Sequence, residues 1–112
     1  IVALKVFLLD ELTSEDQSSI LKEVNFLMAL NHRNVVRLID VFESSNPRYV
    51  VIVLEHMQST LVDYLKTHQI IGEDESKTIF HMIATGVRHC HENGIVHCDL
   101  KPANILVNID DN

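Results

Sequence analysis

The six residues Tyr49-Val50-Val51-Ile52-Val53-Leu54 constrain the fold more than any other stretch, because beyond the Tyr49 hydroxyl they hold no polar group for either face of a strand to show water. A β-branched run of that kind reads as a strand covered on both faces, which requires neighbouring strands and a layer packed on them. The neighbours are at hand. Val35-Val36-Arg37-Leu38-Ile39-Asp40-Val41-Phe42 reads as a second strand, joined to the first by the turn residues Ser44-Ser45-Asn46-Pro47, and Ile1 to Leu9 reads as a third. The covering layer is a helix. Ser14 with Gln17 three residues on predicts a capping box, Glu15 and Asp16 suit the positive end of a helix dipole, and Ile20, Val24, Leu27 and Met28 recur at helical spacing to about Leu30.

Beyond Leu54 the pattern turns helical. Thr60 to Lys66 predicts a short helix, and a long one runs from about Glu73 to Asn93, with Glu73, Asp74 and Glu75 at its start and Asn93-Gly94 as a left-handed stop. Ile79, Met82, Ile83, Gly86, Val87 and Cys90 form its apolar face. Strands and one helix followed by helices predict an α+β chain. At 112 residues it would ordinarily form one domain. A formal charge of −7 without a basic run argues against a nucleic-acid surface. Two cysteines, Cys90 and Cys98, make no disulfide framework and point to a reducing, intracellular compartment, cytoplasmic or nuclear. No apolar run approaches the ~18 residues of a membrane span, and Lys5 and Asp10 interrupt any apolar leader. A start inside a strand suggests a fragment.

Chemistry concentrates in His97-Cys98-Asp99-Leu100-Lys101-Pro102-Ala103-Asn104, a polar loop between the β-like runs Ile95-Val96 and Ile105-Leu106-Val107. Pro102 blocks both a continuous helix and a ladder hydrogen bond. A carboxylate, an ammonium and a carboxamide fall within six positions. Phosphoryl transfer to a hydroxyl needs a carboxylate to take or orient the proton, a cation on the moving group and a neutral oxygen ligand for Mg²⁺. Asp99, Lys101 and Asn104 could supply these in order. His89, Cys90, His91, His97 and Cys98 invite a metal reading, but positions 89 and 91 point to different sides of a helix and no C-x-x-C or H-E-x-x-H spacing occurs.

The loop resembles the H-R-D-L-K-P-x-N catalytic loop of eukaryotic protein kinases. Val2-Ala3-Leu4-Lys5 is similar to the V-A-I-K strand of the kinase small lobe, and the order of strand, helix, two strands, link, long helix and loop follows that family along nearly the whole chain. The resemblance implies a partial two-lobed fold: residues 1–55 as antiparallel small-lobe strands with the αC helix, and 56–112 as hinge and mainly helical large-lobe portion. It implies ATP and Mg²⁺ as cofactors and a protein substrate. Asp99 is then the catalytic base, Lys101 lies on the γ-phosphate, and Asn104 is both catalytic and the metal ligand. Lys5 holds the α- and β-phosphates and pairs with Glu23. Ala3 lies against the adenine, Leu54 is the gatekeeper, and Glu55, His56 and Met57 form the hinge. Thr60, at the ribose, and Leu106 complete the nucleotide-binding set. Without the family, Lys5 reads better as an ordinary solvated strand lysine, and Glu23 reads equally well as a surface carboxylate.

Lys101-Pro102 resembles the serine/threonine-specific form. His97 falls where the family stacks a hydrophobic spine, with Leu27 and Leu38 as its neighbours. Cys98 stands where most kinases have arginine, as in the dual-specificity, tyrosine-phosphorylation-regulated kinases, and Ala103 replaces a common glutamate. The sequence ends at Asp110-Asp111-Asn112, where the family continues toward D-F-G, so the 112 residues alone are expected to show no ATP turnover. A truncated kinase-like protein that binds or scaffolds without catalysis is the alternative, with a partner covering the apolar face of the long helix.

Overall fold

The computed structural model describes residues 1–109, which leaves Asp110-Asp111-Asn112 outside the described residues. Among the described residues the helices and strands follow in chain order as β1 (Val2–Leu8), α1 (Ser14–Ala29), β2 (Leu38–Ser45), β3 (Arg48–Glu55), β4 (Ser59–Thr60), α2 (Leu61–His68), α3 (Glu73–Glu92) and β5 (Leu106–Val107). Two compact units result. One comprises Ile1–Asn31 with Val35–His56, and the other His32–Asn34 with the chain from Met57 onward.

In the first unit β1, β3 and β2 form an antiparallel sheet in that order, with the apolar run in the central strand. Opposed residues of an antiparallel pair share a face. The pairs Ala3–Leu54, Lys5–Ile52 and Phe7–Val50 therefore look one way, together with Leu38 and Val41 of β2. On that face Leu9, Ile20, Val50 and Ile52 form the core, and Val24 and Leu27 of α1 pack against it. Ile52 is wholly buried. The reverse face keeps Leu4, Val6 and Phe42 exposed, although Val53 is buried there.

Several boundaries depart from the sequence expectations. The N-cap of α1 is Thr13, not Ser14: its Oγ1 accepts from the Asp16 N–H at 3.1 Å and the Asp16 carboxylate returns to the Thr13 N–H at 3.3 Å. Gln17 cannot serve the other frame, because its Nε2 donates to the carbonyls of Leu9 and Leu12 at 2.8 and 3.3 Å. Leu9 leaves β1 for a short 3₁₀ turn, Leu9–Glu11, which drops its side chain into the core. β2 starts at Leu38, since Leu38 faces Leu54 next to the end of β3 and Val35-Val36 have no strand opposite them. It also runs on through Ser44-Ser45, so the connection is the two residues Asn46-Pro47. Ile95-Val96 forms no strand. Thr60 lies outside α2 as its cap, and the helix continues to His68.

The second unit contains α2 and α3, which a hydrogen bond from the Tyr64 hydroxyl to the Glu75 carboxylate links. That bond pushes the Tyr64 phenol above its ordinary value. α3 closes where expected. Gly94 takes φ +73°, and the N–H groups of Gly94 and Ile95 return to the carbonyls of His91 and Cys90 at 3.0 and 2.9 Å. The link His32–Asn34 lies on α3: the rings of His32 and His89 stack at 4.9 Å and Thr85 Oγ1 donates to Asn34 Oδ1 at 3.1 Å. Gly86 allows this approach, because a Cβ there would stand 2.5 Å from the Asn34 carbonyl oxygen. Ala normally gains about 1 kcal/mol over Gly inside a helix. Here the overpacking cost of about 1–3 kcal/mol wins. Gly86→Ala is accordingly expected to lower the urea midpoint, and a raised midpoint would contradict this contact.

Candidate functional site

The expected site residues fall into two groups, one in each unit. In the first, β1 alternation places Lys5 on the core side of the sheet, beside Ile52, where its stem lies along apolar surface and its head must find a partner. Glu23 follows from the same logic: Val24 packs inward, so its neighbour sits at the edge of the helix–sheet contact. Lys5 Nζ and Glu23 Oε1 are 2.5 Å apart. Their side chains remain 48% and 40% exposed, so the pair contributes little to folding and its ammonium can still reach a second anion. The Phe7 ring lies 5.7 Å from the same ammonium and holds it further. Ala3 and Leu54 are direct cross-strand partners, with Leu38 on the other side of Leu54. Glu55 is held at both ends of the residue by Arg37: its N–H donates to the Arg37 carbonyl at 3.0 Å and its Oε1 accepts the Arg37 N–H at 2.7 Å. That leaves little for its side chain to offer a ligand.

In the second unit Met57 is half-buried in the segment between β3 and β4. Thr60 and Leu106 face each other across the β4–β5 ladder, and the Leu61 N–H reaches the Ile105 carbonyl at 2.8 Å. The Thr60 hydroxyl already caps α2, accepting from the Asp63 N–H at 3.3 Å and donating to Asp63 Oδ2 at 2.8 Å. This double engagement was not legible from an expectation that put Thr60 inside the helix.

The loop itself is drawn around Asp99. Asn104 Nδ2 donates both to the Asp99 carbonyl at 2.9 Å and to Asp99 Oδ2 at 3.0 Å. Lys101 Nζ lies 3.5 Å from the same carboxylate oxygen. Pro102 opens a 3₁₀ turn, Pro102–Asn104, closed by the Asn104 N–H on the Lys101 carbonyl at 2.9 Å, which brings Asn104 back to Asp99. Before Asp99, Cys98 takes φ +65°, a left-handed conformation rare for a residue with a Cβ. The Asp99 N–H donates to His97 Nδ1 at 3.1 Å across that turn. Nothing in the sequence announces either feature, because cysteine has no preference for this region.

Asp99, Lys101 and Asn104 thus form one cluster of opposite charges and a carboxamide. Because its nitrogen is committed to Asp99, Asn104 has its carbonyl oxygen left for a ligand, and a hard cation such as Mg²⁺ takes oxygen donors. The donor chemistry fits that ion. Cys90, in the same unit, is half-buried, and burial pushes its thiol up, away from the reactive thiolate. An open apolar groove runs along α3, lined by Phe80, Ile83, Ala84, Val87 and Leu100. Among the described residues no helix is long and apolar enough to cross a membrane.

The family model for the protein kinase domain matches residues 1–112. The chain is 32% identical over 91 residues to testis-specific serine/threonine-protein kinase 1 of Mus musculus, covering 81% of this chain and 25% of that protein. It is 35% identical over 114 residues to NUAK family SNF1-like kinase 1 of Homo sapiens, covering 100% of this chain and 17% of that protein. With serine/threonine-protein kinase ATG1c of Arabidopsis thaliana it shares 36% identity over 112 residues, 99% of this chain and 15% of that protein. The chain therefore spans a quarter or less of the length of these relatives.

Proposed function

Because this chain belongs to the protein kinase family, we propose that it contributes the base, the phosphate-binding lysines and one metal ligand to ATP-dependent phosphorylation of serine or threonine in a protein. The observation that carries this reading is the cluster of Asp99, Lys101 and Asn104, in which one carboxylate is held by a carboxamide and faces an ammonium. When bound, ATP with Mg²⁺ supplies the γ-phosphoryl group and the counter-charge.

The protein's own groups do the rest. Asp99 accepts the proton of the substrate hydroxyl as its oxygen bonds to the γ-phosphorus and ADP leaves. Lys101, poised 3.5 Å from that carboxylate, takes up the charge on the transferring oxygens. Asn104 fixes the carboxylate through its nitrogen and offers its oxygen to the cation. Lys5 neutralises the α- and β-phosphates, and Glu23 keeps the ammonium from swinging back into solvent. Ala3 and Leu54 in the first unit, and Met57 and Leu106 in the second, are each apolar side chains of the kind an adenine ring takes. Specificity for serine and threonine rests on Lys101-Pro102 and on the names of the relatives.

The full protein, incubated with ATP labelled at the γ-phosphate, Mg²⁺ and a protein substrate, is expected to yield phosphoserine or phosphothreonine. Lys5→Ala is expected to lower turnover about 10²–10³-fold, the usual effect of deleting one pre-positioned charge-stabilising donor. Label found only on tyrosine would overturn the specificity. Nucleotide binding with no transfer would favour the alternative, a kinase-like chain that docks a partner, for which the apolar α3 groove speaks.

A further inference from the structure

Resting on the phosphotransfer reading above, we propose that Gln58 is a positioning residue for the nucleotide. Its side-chain oxygen takes the Ile109 N–H in place of the Met57 carbonyl, which ends the β4–β5 ladder one rung early and leaves that carbonyl to the bound ligand.

The register of the ladder shows what is replaced. Ser59 pairs with Val107 and Thr60 with Leu106, and the Leu61 N–H reaches the Ile105 carbonyl at 2.8 Å. In an antiparallel ladder, opposed residues alternate between pairs that exchange hydrogen bonds and pairs that do not. Leu61–Ile105 is of the first kind, so Ser59–Val107 is the next and Met57–Ile109 would be the one after. Regular pairing would therefore give the Ile109 N–H to the Met57 carbonyl. It donates instead to Gln58 Oε1 at 2.8 Å. Main-chain pairing stops at Ser59–Val107, and Ile109 enters a turn.

The remaining rungs of this clasp are main-chain bonds, which almost any residue can make. The rung at Gln58 depends on a side chain, because only an acceptor oxygen can meet a peptide N–H there. It closes one end of a ladder whose strands are two residues long, as the Leu61–Ile105 bond closes the other. Met57 offers the base an apolar side chain, and with its carbonyl kept out of the ladder it offers an acceptor as well. Without the Gln58 oxygen, the Ile109 N–H either turns to the Met57 carbonyl or leaves the ladder open beside Leu106. Both outcomes weaken nucleotide binding, and neither touches Asp99, Lys101 or Asn104. The effect therefore falls on the KM for ATP and spares kcat.

In ¹³C,¹⁵N-labelled full protein, a coupling through the hydrogen bond is expected between the Ile109 amide nitrogen and the Gln58 side-chain carbonyl carbon. The Leu61–Ile105 bond, of the same length, gives the reference coupling in the same spectrum. In phosphotransfer, Gln58→Leu is expected to raise the KM for ATP about threefold to tenfold, the scale of one lost hydrogen bond, with kcat little changed. Gln58→Glu keeps an acceptor oxygen at the same reach and is expected to recover most of that rise. Gln58 is exposed, so the urea midpoint should move little in either variant. A reference coupling without the Gln58 coupling would overturn the proposal. So would a KM for ATP that Gln58→Leu leaves unchanged, or that the two variants raise equally, and so would a loss confined to kcat. A Gln58 coupling present in a protein that binds no ATP would instead sink the nucleotide reading, so the two failures are told apart.

Discussion

Asp99→Asn is expected to reduce phosphotransfer by about 10²–10⁴-fold in kcat while barely moving the KM for ATP. The substitution keeps the shape of the side chain and removes only its charge and basicity. In free energy that is about 3–5 kcal/mol of lost transition-state stabilisation. Two interactions change with it. Asn104 Nδ2, now 3.0 Å from a carboxylate oxygen, would face a neutral amide, and Lys101 would lose the anion 3.5 Å from its ammonium. Neither change threatens the fold, because the Asp99 side chain is 66% exposed and an exposed ion pair is worth little. Steady-state kinetics beside a urea titration separates the cases. A loss smaller than about tenfold would remove Asp99 from the role of base, the weakest contribution usual for such a group being about a hundredfold.

The second large effect is on stability. Ile52→Ala is expected to cost about 2–5 kcal/mol, out of the 5–15 kcal/mol typical of a whole domain. Ile52 has no exposed surface and is flanked by Lys5 on β1 and Val41 on β2. Leu9, Ile20 and Val50 surround it in the core. Ile52→Val, which removes a single methyl, should cost only about 0.5–1.5 kcal/mol. Because Lys5 lies directly opposite, the cavity would also loosen the strand that aims the ammonium at Glu23. Chemical denaturation followed by far-ultraviolet circular dichroism measures both variants. Equal costs for Val and Ala would mean that the site collapses freely and that β3 is not the centre of this core.

The central strand was legible because six apolar residues in a row leave no other physical option, and α1 and α3 because their apolar spacing has the helical period. Boundaries were harder where two patterns competed. The sequence reading puts the cap at Ser14 with Gln17, whereas the carbonyls of Leu9 and Leu12 hold the Gln17 amide and the box closes between Thr13 and Asp16. Val35-Val36 has strand propensity but no partner, since the length of β3, a tertiary fact, decides where pairing begins. The ladder between Ser59-Thr60 and Leu106-Val107 escapes any periodicity argument because each strand is two residues long. In the loop, residue types and spacing singled out Asp99, Lys101 and Asn104, which the structure brings together. The turn at Cys98 and the bond from the Asp99 N–H to His97 come from backbone geometry, which composition does not encode.

That short ladder has a consequence for how such chains can vary. The bond from the Leu61 N–H to the Ile105 carbonyl, with the pairs beside it, fastens the segment carrying α2, α3 and the loop into a ring closed at its base. Gln69 to Gly72 lies on the far side of that ring, with Gln69 at φ +43° and Ile70 90% exposed. Doubling the length of a flexible connection costs only about 0.6 kcal/mol of closure entropy. Insertions there change the perimeter of the ring without moving its clasp, so the bend between α2 and α3 is where length can drift while Asp99 stays in register.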